Sequence, residues 1–314
     1  MNEVTLKLST DNFHPVTLED REFFARHYEI FPQSHSDNTF TNMVCWNHYA
    51  HYQWAFVEGN ILIASTIEGI TRFRPPIGPR SPALLRALVK FAMDHSDDQP
   101  VVLIDPGTAE WMRSVSPELN LLPDRNHFEY VYRSADLADL PGRRYLNIRG
   151  QLNKFRRNCK YAVEPITREN REEVKRFLIE WCEWRGCEGD PVLAHEKEAT
   201  FFAIDHFSDL DLSGLAIRVY DKIGAMSLFE PLNHDTALVH FEKGMPECDG
   251  IYKEINAETA TLLKDRYPFI NRESDLGLTG LREAKMRYHP DHMTEVYSLV
   301  RDPSQTQIHD TIIS

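Results

Sequence analysis

The strongest constraint on this chain is an order of elements that it uses twice. In the N-terminal half, apolar residues at helical spacing predict helices over 17–29 and 38–48. Thr17 and Asp20 give the first helix a capping-box pattern. The stretches "YQWAFVE", "ILIASTIE" and "TRFR", with the turn "GN" between the first two, read as an antiparallel meander. A helix over 82–94, a strand "VVLID", a short helix over 109–115 and a strand "HFEYVYR" follow. The C-terminal half predicts helices over 169–185 and 195–207, then a meander of "LAIRVY", "AMSLFEP" and "TALVHFEKG". A helix over 252–265, a strand "FINRE", a helix over 281–288 and a strand "TEVYSLV" close it. Both halves read α-α-β-β-β-α-β-α-β. With 314 residues favouring two domains, the expectation is an α+β chain of two lobes built on mixed sheets. The lobes are expected over 1–140 and 164–302, with a basic joint helix over 141–163 and a tail over 303–314.

The formal net charge of −13 speaks against non-specific nucleic-acid binding over the whole surface, and DNA is not an expected partner. It also makes a local basic island informative. From Leu140 to Val163 there is no Asp or Glu, yet there are Arg143, Arg144, Arg149, Lys154, Arg156, Arg157 and Lys160. No run of about 18 apolar residues is present, so no transmembrane segment is expected, and the first residues do not read as a signal peptide. Five irregularly spaced cysteines suggest reduced thiols and a cytoplasmic home, with peripheral placement at a membrane left open.

A meander followed by β-α-β units is the order that GNAT-type acyltransferases show. Two stretches narrow the field. "LNIRGQLNKFRRNCKY" carries a leucine, a glycine and a basic run with Arg-Asn, and "NRESDLGLTGLREAKMRYHPDHMTEVYSLV" carries Leu-Gly, Gly-Leu-Arg, a lysine and an aromatic-X-Pro pattern. On these motifs the chain resembles the tandem-GNAT domain of phosphatidylglycerol lysyltransferases, and stand-alone bacterial and archaeal proteins that share it. The sharp motifs cover 146–161 and 271–297, while the order of elements matches over nearly the whole chain. The resemblance implies transfer of an aminoacyl group from charged tRNA to a lipid hydroxyl or to an amine, with aminoacyl-tRNA as co-substrate and no further cofactor. No counterpart of the membrane-embedded region of those lysyltransferases is expected within these 314 residues.

The residues themselves allow two readings at each point. Gly277 and Gly280 permit close backbone approach, and Thr279 stands where it could cap a helix whose N–H groups would bind an anion. Arg282 falls in the first helical turn, where the helix dipole disfavours a cation unless an anion is near, and Lys285 is one turn on. Spacing alone also fits a solvated basic face. The resemblance favours phosphate or carboxylate handling by Arg282 and Lys285. Upstream, Glu273 and Asp275 are candidate bases for deprotonating an acceptor, and an Arg272–Asp275 ion pair is the structural alternative. On the basic helix, Leu152, Phe155 and Cys159 share an apolar stripe, and cations occupy more than one other face. Lys154, Arg156, Arg157 and Asn158 are therefore candidates for an anionic ligand, against a linker that only balances acidic lobes. Glu242, Tyr252, Lys253 and Asn256 line the expected mouth of the second lobe.

Simple GNAT enzymes place a glycine-rich pyrophosphate loop between strand and helix. The second half has Glu247-Cys248-Asp249-Gly250 there, one glycine with two acids. The first half has "RFRPPIGPRSP", with Arg72, Arg74 and Arg80 but prolines in place of N–H donors. CoA as acyl donor is thus an alternative that both loops count against, and a non-catalytic module for an anionic ligand is another. His48 and His51 lack neighbouring ligands in sequence, and no metal is expected. Cys182 and Cys187, near Trp181 and Trp184, read as core packing.

Overall fold

The computed structural model of the chain describes residues 6–96 and 98–301, so the expected tail over 303–314 lies outside the described residues. The strands are β1 (His14–Pro15), β2 (Gln53–Val57), β3 (Asn60–Ile67), β4 (Ile70–Phe73), β5 (Val101–Ile104), β6 (Leu121–Pro123), β7 (Glu129–Arg133), β8 (Tyr161–Pro165), β9 (Ser213–Val219), β10 (Lys222–Pro231), β11 (Thr236–Gly244), β12 (Phe269–Ser274), β13 (His292–Thr294) and β14 (Tyr297–Leu299). The helices are α1 (Arg21–Ile30), α2 (Phe40–Cys45), α3 (Asn47–Ala50), α4 (Pro82–His95), α5 (Pro106–Val115), α6 (Ser134–Asp139), α7 (Leu146–Asn158), α8 (Arg171–Arg185), α9 (Pro191–Asp205), α10 (Ile251–Leu263) and α11 (Thr279–Met286).

Local chemistry sets several of these boundaries. Asp105 and Asp190 each cap a helix that opens with proline, which has no N–H to leave unsatisfied. The Thr17–Asp20 capping box forms as expected, but it closes a single 3-10 turn just before α1. α8 ends at Gly186, whose φ of 76° suits a residue without Cβ.

The chain forms two units, each built on a mixed seven-stranded sheet. The first takes its described residues from Met1–Phe31, Asn47–Phe128 and Thr294–Ser314, and its sheet has the order β1-β2-β3-β4-β5-β14-β6. Leu62, Ala64 and Phe73 from the sheet and Leu84, Leu85 and Leu88 from α4 form its core. The second unit comprises Pro32–Trp46 and Glu129–Met293, with the order β13-β7-β12-β11-β10-β9-β8.

This corrects the expected lobes. "HFEYVYR", read as the last strand of the first half, supplies β7, which pairs antiparallel with β12 in the second unit's sheet. "TEVYSLV", read as the last strand of the second half, supplies β14, inserted between β5 and β6 of the first. The first boundary falls at Phe128, and α2 belongs to the second unit. The basic helix is not a joint either. Ile148, Leu152 and Phe155 of α7, with Cys159, are buried in the core of the second unit, beside Ile251 and Ile255 of α10. β8, absent from the expectation, follows α7 and pairs with β9 at the sheet edge. The thiols depart from expectation as well. Cys159–Cys248 and Cys182–Cys187 are disulfides, and Cys45 is buried outside them.

The lone glycine of the acidic loop has a packing role. Gly250 stands at the N-terminus of α10 with φ +99°, and a Cβ there would lie 2.6 Å from the Gln151 carbonyl oxygen of α7. Gly250→Ala should therefore destabilise the second unit by about 2 kcal/mol, from left-handed strain plus displacement of α7. Chemical denaturation checks this, and an unchanged midpoint would remove the packing argument.

Candidate functional site

β11 and β12 run parallel but pair only at Thr236–Phe269, Ala237–Ile270 and Leu238–Asn271. Both strands continue further, so beyond Leu238 and Asn271 they splay and leave ladder groups free for side chains. On its other edge β12 shifts register against β7 between Asn271 and Ser274. Glu273 lies in this irregularity with φ +60°, a strained setting for a residue with a Cβ.

Lys285, projecting from α11, serves that irregular backbone. Its ammonium donates to the carbonyl oxygens of Arg272 and of Glu273, the latter at 3.1 Å, and sits 5.7 Å from the Tyr130 ring centroid. Burial pushes its pKa down to about 8, against the pull of Glu273. Two of its three N–H groups are spent, and the third has no acceptor among the described residues.

Next to it, the Arg272 guanidinium donates to Glu242 at 2.9 Å. It lies near the rings of Tyr132 and Tyr288, with centroids at 5.9 and 5.1 Å. With the Asn256 amide turned to satisfy its neighbours, its oxygen accepts from Arg272 at 3.1 and 3.2 Å. β7 and α11 are tied together by the Tyr132 hydroxyl, which donates to the Lys285 carbonyl at 2.9 Å.

Behind Glu273 lies a buried chain of charges. His240 bridges Glu230 at 2.8 Å and Glu273 at 3.2 Å through its two ring nitrogens. Burial alone would keep the imidazole neutral, but the two carboxylate hydrogen bonds overrule it and lift its pKa to about 10. Thr41 donates to the other oxygen of Glu230 at 2.9 Å. Burial raises the Glu273 pKa above the usual carboxylate range, and the contact with His240 offsets only part of that. The Glu273 side chain is 31% exposed, and its Oε2 makes no hydrogen bond among the described residues. The site thus presents a carboxylate of raised basicity beside an ammonium of lowered pKa.

The sequence-read candidates divide on this geometry. Arg272, Glu273, Lys285, Glu242 and Asn256 come together around the splay. Asp275 is fully buried and accepts from Tyr130, from the Gly277 N–H and from a two-pronged Arg282 fork at 2.9 Å on each side. Its acceptor capacity goes to holding the loop, so it is poorly placed as a base. The ion pair anticipated for Arg272–Asp275 is formed instead by Arg282–Asp275 and Arg272–Glu242. Arg282 is thereby tied to its own loop. The Tyr252 hydroxyl accepts from Trp181 Nε1 at 3.1 Å, a scaffold contact.

Two of the four cations of the basic helix are neutralised within the second unit. Lys154 pairs with Asp249 at 2.8 Å, and Arg156 donates to both oxygens of buried Glu254, which also accepts from Tyr161. Arg157 and Asn158 are exposed, and among the described residues none of these four contacts Arg272, Glu242 or Lys285. Of the apolar residues on α11, Leu281 and Ala284 are exposed, whereas Tyr288, just past the helix, is buried. His240, Glu230, Tyr130 and Tyr132 complete the site and were not singled out from the sequence. The signal for His240 was present, since it alternates with Glu242 after the apolar run Ala237–Val239.

Two mixed sheets, each a meander followed by β-α-β units, define a tandem GNAT-like α+β fold. The FemX crystal structure shares that fold, with a TM-score of 0.56 at 8% identity, over 95% of this chain and 99% of that one. The sequence matches the family model "Phosphatidylglycerol lysyltransferase, C-terminal" over residues 28–300, and the chain belongs to that family. A conserved protein of unknown function from Bacteroides thetaiotaomicron VPI-5482 is similar at 29% identity and TM-score 0.85, over 92% of this chain and 99% of that one. The C-terminal domain of a putative lysylphosphatidylglycerol synthetase from Agrobacterium fabrum shows the same fold at 14% identity and TM-score 0.63, over 91% and 93%. No protein of curated function matches by sequence. Among the described residues no helix is long and apolar enough to cross a membrane.

Proposed function

We propose that this chain is an aminoacyltransferase that moves an aminoacyl group from charged tRNA to a lipid hydroxyl or an amine acceptor. Family and fold are consistent with aminoacyl transfer. The observation that carries the reading is the pairing, at the open end of the β11–β12 splay, of Glu273 as a base with Lys285 as a cation holding one unspent N–H. Glu273 takes the proton from the acceptor O–H or N–H. The acceptor atom bonds to the ester carbonyl carbon, and the bond from that carbon to the tRNA ribose oxygen breaks. The proton passes on to that departing oxygen. Lys285 donates to the carbonyl oxygen as negative charge develops there. His240, held cationic, fixes the direction of the Glu273 carboxylate, and Arg272 with Glu242 and Asn256 forms the polar wall.

Acyl-CoA is a weaker donor candidate. The α10 N-terminus, where a pyrophosphate would need backbone N–H groups, is packed by the Gln151 carbonyl, and the Asp249 and Glu254 carboxylates lie beside it.

The test mixes purified protein, labelled aminoacyl-tRNAs, and either a lipid extract or an amine acceptor pool. Label should leave the tRNA, and Lys285→Met should reduce that transfer by about 10²- to 10³-fold, as loss of an oxyanion donor does. If the ester survives intact with both acceptor pools, aminoacyl transfer is overturned.

A further inference from the structure

The first unit carries two arginines that nothing described so far employs. β2, β3 and β4 are neighbours, with Trp54 opposite Ile63 and Ser65 opposite Arg72. The Arg74 N–H donates to the Ile63 carbonyl at 2.9 Å, which extends the ladder by one residue. Directly opposed residues share a face, so Trp54, Ser65, Arg72 and Arg74 all project to one side of this sheet. The opposite side carries Leu62, Ala64 and Phe73 into the core against α4. α1 lies over the arginine side, where Phe24 packs 4.9 Å from the Trp54 ring and 5.6 Å from that of Tyr28.

Arg74 is only 4% exposed, yet among the described residues its one side-chain hydrogen bond is from Nη1 to the Ser65 hydroxyl at a long 3.4 Å. Its Nε is buried without a partner, and so is the Nε of Arg72. Neither arginine has a carboxylate partner among the described residues. The Trp54 indole N–H, on the same face, is also buried and unpartnered. A buried guanidinium such as that of Arg74, without a counter-charge, is costly, and the half-buried Arg72 two residues away adds a second positive charge to the same face. In a chain of net charge −13, acids to pair them are abundant, yet among the described residues none is placed there. The third arginine of the segment behaves differently: Arg80 donates to the Gly107 carbonyl and stacks on Trp111.

From this we infer that Arg72 and Arg74 form a phosphate-binding site in the first unit, taking a phosphate mono- or diester group with the Trp54 indole N–H as an additional donor. Two guanidinium forks match the charge and the tetrahedral oxygens of phosphate. Prolines 75 and 76 supply no backbone N–H groups, so the side chains carry the recognition. The inference does not depend on the chemistry proposed for the second unit.

The experiment measures the melting temperature of the full chain against inorganic phosphate, and separately against glycerophosphoglycerol, with sodium chloride matched for ionic strength. A saturable rise beyond the chloride control is expected with at least one of the two. A response to phosphate alone assigns the site to free phosphate or monoesters, and a response to the diester assigns it to a headgroup. Arg74→Met and Arg72→Gln should each weaken the apparent affinity at least tenfold. Without ligand, Arg74→Met should melt no lower than the wild-type protein, because it removes an uncompensated charge. No rise above chloride with either compound overturns the site, and so does a rise that survives unchanged in both variants.

Discussion

Glu273→Gln should lower aminoacyl transfer by roughly 10²- to 10⁴-fold, the range lost with a general base, while the protein stays folded. The amide keeps the shape of the side chain and can still accept from His240, but it cannot take the acceptor's proton. The pH profile separates this from a structural effect. Glu273 works only when ionised, and burial holds its pKa above the ordinary carboxylate range, so kcat/KM should rise through a limb displaced above that range. Lys285 works only when protonated, and its pKa is pushed down to about 8, so the rate should fall again as pH passes that value. In Glu273→Gln the acidic limb should vanish from the residual activity while the limb near pH 8 remains. A variant that keeps both limbs and most of its rate would remove Glu273 from the chemistry.

The prominence of Glu273 was only partly legible in the sequence. "NRESD" at a strand end marked the right region, but gave Glu273 and Asp275 equal standing. What separates them is burial and acceptor capacity, which depend on residues far away: Tyr130 and Arg282 saturate Asp275, whereas His240 leaves one oxygen of Glu273 open. The order of elements was legible because apolar spacing reports helix or strand locally. Strand partners were not, because a short aromatic or β-branched strand can close either sheet. β7 and β14 were each placed in the sheet next in sequence, and each belongs to the other. That error hid Tyr130 and Tyr132, which enter the site only because β7 pairs with β12. The basic helix misled for a related reason. A window without acids looks uncompensated, but its counter-charges Asp249 and Glu254 lie about a hundred residues on, in α10 and the loop before it. Arg72 and Arg74 are the opposite case, since no carboxylate among the described residues pairs with them.

His240 should leave the second large signature, in stability. Its folded pKa of about 10 stands above the ordinary value of 6.5, so the folded state binds the proton more tightly than the unfolded chain. The stabilisation is therefore complete below about pH 6.5 and is lost as pH rises toward 10. Lys285 runs the other way. Its folded pKa of about 8 lies below its ordinary 10.5, so the cost of burying its charge is relieved between those values and masks part of the His240 slope. The cleanest window is pH 6.5 to 8, where one extra bound proton gives a slope approaching 1.4 kcal/mol per pH unit, or about 2 kcal/mol over the interval. Denaturant midpoints of the wild-type protein should fall across that window. His240→Gln leaves Glu230 and Glu273 facing each other without a cation, and should cost about 3–5 kcal/mol at pH 6.5. Its stability should also lose the wild-type slope, because the titrating group is gone. A wild-type protein whose stability is level from pH 6.5 to 8 would mean that His240 is neutral in the fold. Glu273 would then lack the buried cation that orients it, and the proposed base would have to act without that support.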